Sequence, residues 1–261
     1  MFYDMAANKD VLQPHLMVGK GDVAEHVLIP GDPKRVELMA THLSNPIKVS
    51  ENRQFVTVSG HYKGLPVSIV SSGIGVPAML ITVEELLRVG AKILIRVGTT
   101  GGLQPDVKVG DLVVATASVR TDGGTQMYAP LGYPAVASRD VVEALSSYCA
   151  RSGLRFHEGV VWTSEAYYAE TLDVAKRWHD LNVVSVEMET SGLFVLSSIK
   201  GVKAGAILVC DGNLIYGKKK SEVLRGQKPY EPEVIEGVHR ATEASLEALL
   251  EISRKSSSKT V

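Results

Sequence analysis

Val183-Val184-Ser185-Val186-Glu187-Met188-Glu189-Thr190 passes from a valine run into an acidic island within eight residues. A helical pattern follows from Gly192 to Ile199, and then a second apolar run, Ala204 to Cys210, ends on Asp211. A valine run that feeds helical periodicity predicts a buried parallel strand leading into a helix. Carboxylates at such a junction fall at the carboxyl edge of the sheet, where open α/β folds bind ligands. An acidic first turn would also complement the helix dipole on purely structural grounds. That reading leaves unexplained why the next strand ends on an acid as well. Glu187, Glu189 and Asp211 are therefore expected to converge on one site.

Similar strand-to-helix junctions lie on the N-terminal side. Val27 to Pro30 reads as a strand, followed by Gly31-Asp32-Pro33 and a helix through Leu43. Asp32 suits the N-cap and Pro33 the first turn, and Gly31 lets backbone N–H groups face an anion. Arg35 opposes the helix dipole in that first turn unless it binds a phosphate; otherwise it is an ordinary surface arginine. Gln54 to Ser59 and Leu65 to Ser71 read as strands joined by a turn at Gly60 to Gly64, with Arg53 just before them. Ser71 to Pro77 is a second glycine turn, leading into a helix from about Ala78 to Arg88. It lacks the third glycine of a dinucleotide fingerprint. Lys92 to Val97 is a strand that opens into Gly98-Thr99-Thr100-Gly101-Gly102, expected to form a nest of N–H donors. Arg96 lies inside this apolar run and needs an anionic partner. That partner is either a ligand or a core carboxylate, Glu84 or Glu85.

Further on, Asp111 to Arg120 and Phe156 to Trp162 read as strands, and Arg139 to Arg151 and Thr171 to Leu181 as helices. Thr121 to Pro134 is a long connection of the kind that often carries function. Tyr167-Tyr168 offers a flat stacking face. Lys218-Lys219-Lys220 reads as a solvated loop, Glu233 to Arg254 as a closing amphipathic helix, and Ser256 to Val261 as a disordered tail. Strands alternating with helices predict one α/β domain with a mixed sheet over residues 1–261, with 1–14 and 254–261 flexible. The chain has 261 residues, 45% hydrophobic, and a net charge of -1. This supports a sizeable core and gives no bulk-charge reason to expect nucleic-acid or membrane-surface binding. There is no signal-peptide core and no run long enough to span a bilayer. Two cysteines without CxxC spacing suggest a reducing cytoplasm. Seven histidines without an HExxH pair give no reason to expect a metal.

The strings Gly31-Asp32-Pro33-Lys34-Arg35-Val36, Glu51-Asn52-Arg53, Ser72-Gly73-Ile74-Gly75, Arg96-Val97-Gly98-Thr99-Thr100-Gly101 and Val186-Glu187-Met188-Glu189 resemble the hexameric nucleoside phosphorylases. That family includes bacterial-type purine nucleoside phosphorylase, uridine phosphorylase and archaeal methylthioadenosine phosphorylase. The match runs from about His15 to the last helix. It implies a single three-layer α/β domain with a central mixed sheet flanked by helices, and a hexamer assembled as a trimer of dimers. The implied reaction is phosphorolysis of a nucleoside, with phosphate as co-substrate and no cofactor. By resemblance, phosphate is held by Gly31, Arg35, Arg96 and Thr99, with Arg53 donated by a neighbouring subunit. Glu189 then binds the ribose hydroxyls, Met188 packs on the sugar, and Glu187 lies near base and ribose. His15 reaches a neighbour's ribose 5′ end, and Tyr167 lies at the nucleoside.

Uridine phosphorylases carry a Gln-x-Arg pair shortly after their aromatic pair; here Ala169 to Asp173 contains neither residue. Cys210-Asp211-Gly212 looks like the Asp-Gly version of the apicomplexan purine enzymes, making Asp211 the expected leaving-group acid. An ungapped match to the archaeal and bacterial purine enzymes puts Gly212 there instead. The expectation is a phosphorylase of purine (deoxy)ribonucleosides. Uridine or methylthioadenosine phosphorolysis, a nucleosidase and a non-catalytic nucleoside-binding module are the alternatives.

Overall fold

The computed structural model describes residues 11–216 and 231–257, and Lys218 to Lys220 fall outside them. In chain order the elements are β1 His26–Ile29, α1 Pro33–Ala40, β2 Ser44–Asn52, β3 Phe55–Tyr62, β4 Leu65–Val70 and α2 Val76–Val89. There follow β5 Ile93–Gly102, β6 Leu112–Arg120, β7 Ala135–Val136, α3 Arg139–Arg151, β8 Phe156–Thr163 and α4 Leu172–Asp180. The chain closes with β9 Ser185–Glu187, α5 Thr190–Lys200, β10 Lys203–Asn213 and α6 Pro232–Ser257. Among the described residues no helix is long and apolar enough to cross a membrane.

The central strands read as continuous apolar runs because both of their faces are covered. On β5 and β10, Leu94, Ala204, Ala206 and Leu208 join a core with Val76, Met79 and Val83 of α2 and Leu193 to Leu196 of α5. Their sequence neighbours Ile93, Ile95, Val97, Ile207 and Val209 enter a second core with α1, α3 and α6. This is the period-two alternation of a pleated strand. It makes a three-layer α/β domain, two helical layers enclosing one mixed sheet. Arg96 shares the parity of Leu94, on the side of α2 and α5.

The sheet closes on itself in part. β5 pairs in parallel with β10 along its whole length. From β10 the pairing runs through β6, β8 and β9, and β9 returns to β5, completing a ring of five strands. β5's other edge is shared. Residues 93–96 pair with β1, while only Gly101 and Gly102 pair with β9. β1 and β9 thus part along residues 97–100, and a crevice opens between their ends. β1 continues the sheet outward through β4 and β3 to β2.

Several local expectations are corrected. β2 was not foreseen, because its polar, proline-containing sequence lies exposed at a sheet edge, where no burial imposes an apolar pattern. β3 runs through Gly60 to Tyr62, and the hairpin turns only at Lys63-Gly64, both with positive φ, as a two-residue hairpin favours. Gly98 to Gly102 is strand, not a nest of donors. β9 is parallel to β8 but antiparallel to β5, and only three residues long. β10 does not stop at Asp211 but runs on to Asn213. α6 continues through Ser257, past the expected limit at Arg254.

Candidate active site

Arg96 is the centre of the cluster at the crevice. It is 3% exposed; its Nε lies 3.1 Å from Glu187 Oε2 and its Nη2 2.5 Å from Glu189 Oε2. A core ion pair, one of the two partners anticipated for Arg96, therefore exists, but with carboxylates other than Glu84 or Glu85. Glu85 is engaged by His15, and Glu84 by Lys200 at 3.2 Å. The strand is glycine at position 98 for a steric reason. A Cβ there would come within 2.7 Å of the Arg96 guanidinium and 2.8 Å of Leu208.

Two helix N-termini meet this arginine. Glu187 Oε2 accepts from the backbone N–H groups of Glu189 and Thr190, each at 2.8 Å, so Glu187 satisfies the first turn of α5 while pairing with Arg96. Its other oxygen accepts from Thr163 Oγ1 at 2.5 Å. Glu187 is thus enclosed by protein donors and sits behind Arg96. Glu189 is placed differently. Its Oε1 accepts from the N–H of Gly75, the residue before α2, at 2.6 Å. Gly75 has φ 91°, ψ 157°, a conformation open essentially to glycine alone. Burial raises the Glu189 carboxyl above the usual carboxylate range; Arg96 and Arg35 pull it back while Glu187 adds to the rise. With one strong contact on each oxygen, Glu189 keeps lone pairs for further donors.

Arg35 reaches the same place from α1. Asp32 caps that helix through the Lys34 N–H at 2.9 Å, as its sequence suggests. Gly31 packs beneath Arg35, since a Cβ on it would lie 3.5 Å from Arg35 Nη2 and 3.2 Å from the Gly73 carbonyl. Arg35 is 9% exposed, not a surface residue. Among the described residues, Arg35 Nε and Nη1 and Arg96 Nη1 are buried without a hydrogen-bond partner. Buried guanidinium donors of this kind are costly unless an anion receives them, and their forked geometry matches a phosphate.

The other anticipated residues are less closely joined. Thr99 is half-buried on β5, opposite Val209. Met188 is half-buried between the two glutamates. Asp211 is buried and is the extra residue of a bulge, since Cys210 pairs with Thr100 and Gly212 with Gly101. It flanks Thr100-Gly101 on the side opposite Val186-Glu187, and bulges re-aim side chains. Tyr167 is half-buried in a short helical turn four residues beyond Thr163, edge-on to the exposed Tyr168. Arg53 is exposed at the β2–β3 turn with φ 55°, and its side chain makes no hydrogen bond or ion pair with the described residues. His15 is bound to Glu85, Nδ1 to Oε1 at 2.6 Å, rather than to the Arg96 cluster. Sequence reasoning missed Thr163. The signal was its place as the last residue of β8, in register with Glu187.

The sequence and its fold have counterparts in known proteins. Residues 25–252 match the model of a family described as the phosphorylase superfamily. A guanosine phosphorylase of Halorubrum lacusprofundi is 38% identical over 237 residues, covering 91% of this chain and 98% of that protein. A uridine phosphorylase of Treponema pallidum is 39% identical over 210 residues, covering 76% of this chain and 81% of that one. In structure, a purine nucleoside phosphorylase from Toxoplasma gondii, solved in complex with immucillin-H, superposes with a TM-score of 0.85 at 28% identity. It spans 94% of this chain and 97% of its own. The sheet that parts at Arg96 and the match across nine-tenths of the sequence agree: this chain belongs to the phosphorylase superfamily.

Proposed function

We propose that the protein is a nucleoside phosphorylase that cleaves the N-glycosidic bond of purine (deoxy)ribonucleosides with phosphate, releasing free base and (deoxy)ribose 1-phosphate. The observation that carries this reading is the pair of buried arginines, Arg35 and Arg96, with three guanidinium nitrogens that lack an acceptor among the described residues, beside the Glu189 carboxylate. Phosphate held there by Arg35, Arg96, Gly31 and Thr99 presents an oxygen to C1′ of the sugar. As the C1′–N bond breaks, positive charge develops on the sugar ring, and the nearby anion stabilises it before bonding. The bond electrons leave with the base, which takes up a proton. Glu189 has acceptor capacity left for the ribose hydroxyls, and Met188 beside it offers apolar contact to the sugar. Glu187 holds Arg96 from behind.

The choice of purine rests on Asp211-Gly212 and on the absence of a Gln-x-Arg pair after Tyr167-Tyr168. Asp211 acts as proton donor or hydrogen-bond partner to the leaving purine, and Tyr167 stacks on it. The relative covered almost end to end is named for guanosine. A uridine reading has its own support, since relatives named uridine phosphorylase match at up to 39% identity. Arg53, exposed at its turn, and His15, bonded to Glu85 and not to the arginine cluster, complete a neighbour's site in a hexamer built as a trimer of dimers.

Base release from inosine, adenosine, methylthioadenosine and uridine, each with and without phosphate, tests the proposal. Phosphate-dependent release led by the purine nucleosides is the expected result. Release led by uridine would overturn the purine assignment, and release indifferent to phosphate would overturn the arginine cradle.

A further inference from the structure

Thr163 makes no contact with the arginine cradle's donors, yet three elements meet at its hydroxyl. Thr163 Oγ1 lies 2.5 Å from Glu187 Oε1, 2.6 Å from Ser118 Oγ and 2.9 Å from the backbone N of Ser191. All four residues are buried. A hydroxyl has one proton and two lone pairs, which fixes the direction of each bond. An ionised Glu187 can only accept, so Thr163 donates to it. Ser191 N–H can only donate, so it uses one lone pair of Thr163. Ser118 then gives its one proton to the other at 2.6 Å, a far shorter contact than its 3.4 Å approach to the Val119 carbonyl. The Thr163 hydroxyl is left with one orientation.

That orientation matters for the phosphate cradle. Glu187 Oε1 receives Thr163, while Oε2 receives Arg96 Nε and the first two N–H groups entering α5. Thr163 is the side-chain donor that holds the carboxylate from the side opposite Arg96. The link continues to the long 121–134 connection. Ser191 Oγ donates to Asp122 Oδ2 at 2.7 Å, and Asp122 also accepts from the Thr125 N–H at 2.6 Å.

We propose, building on the phosphorolysis reading, that Thr163 is a positioning residue for phosphate: its hydroxyl locks Glu187 in the rotamer that aims Arg96 at the anion. Removing the hydroxyl frees Oε1, strands the Ser191 N–H and loosens Arg96. The loss falls on phosphate rather than on the nucleoside.

The test compares Thr163→Val with Thr163→Ser in the full-length protein, by steady-state kinetics in both substrates and by calorimetric titration with inorganic phosphate alone. Thr163→Val is expected to raise the phosphate KM and Kd roughly tenfold, the value of one charge-assisted hydrogen bond. The nucleoside KM should stay within about twofold, and Thr163→Ser should restore phosphate affinity. Unchanged phosphate affinity in Thr163→Val, equal losses for both substrates, or equal losses in the Val and Ser variants would each overturn the proposal. If Thr163→Val does not fold, Ser118→Ala carries the test. It should raise phosphate KM about threefold by releasing the Thr163 rotor, and an unchanged value overturns the assignment. Wild-type activity indifferent to phosphate would instead refute the phosphorolysis reading itself, before any variant is compared.

Discussion

Arg96 is buried between two carboxylates, so its removal has a structural cost that depends on pH. Arg96→Ala strands Glu187 and Glu189 in the interior, a loss of about 3–5 kcal/mol when both are charged. The Glu189 carboxyl is already raised by burial even though Arg96 opposes the rise, so losing Arg96 raises it further. A carboxyl raised in the folded state binds protons the unfolded chain does not, and it penalises folding once it must ionise. The deficit in Tm relative to wild type is therefore expected to be small near the unfolded carboxylate value and to grow as pH rises through the raised folded one. Thermal melts from acid to neutral pH check this; a deficit independent of pH would mean the carboxylates relax to water. At this scale the sequence was partly legible. An arginine within Ile93-Leu94-Ile95-Arg96-Val97 announces a buried cation, because nothing apolar can satisfy it. Which acid answers it was not legible, since Glu84, Glu85, Glu187 and Glu189 look alike until the helices are placed.

Strand β5 carries the site because it changes neighbours halfway along. Its glycines follow from close approach on both faces, and Gly98 is the one beneath Arg96. Gly98→Ala is expected to displace the guanidinium, raising phosphate KM by roughly tenfold or more while nucleoside KM changes little. Kinetics with each substrate varied in turn decide the point, and equal effects on both would place the damage in the fold. β5 and β10 were readable as buried apolar runs, and the helices as periodic stretches, two of them opening at Asp32 and Thr171. The ring closure was not readable. It depends on β9, three residues whose pairing on both sides is fixed by the tertiary fold and not by any local pattern.

The whole molecule presents two groups with no role inside the chain's own cradle, Arg53 on an exposed turn and the half-buried His15 held by Glu85. Leu12, Met17 and Ile47 are exposed apolar side chains near them in sequence. We propose that these surfaces meet another subunit and that Arg53 enters its phosphate site. Arg53→Ala and Arg96→Ala proteins should each be nearly inactive alone. Co-refolded in equal amounts, they should regain about a quarter of wild-type activity, from the sites that pair two intact arginines in a randomly mixed dimer. No recovery, with mixed oligomers demonstrated by mass, would confine each site to one chain.

The ring's closing seam consists of two backbone pairs, Gly101 with Val186 and Gly102 with Ser185, reinforced by Thr100 Oγ1 donating to the Val186 carbonyl and by the Arg96–Glu187 ion pair. Arg96, proposed to receive phosphate, is therefore also a clasp between β5 and β9. An anion that immobilises Arg96 tightens the clasp, and by reciprocity whatever keeps the clasp shut raises the affinity for the anion. On the proposed phosphate reading, closure of the ring and capture of the anion are coupled through Arg96, so a mutation that loosens one is expected to weaken the other.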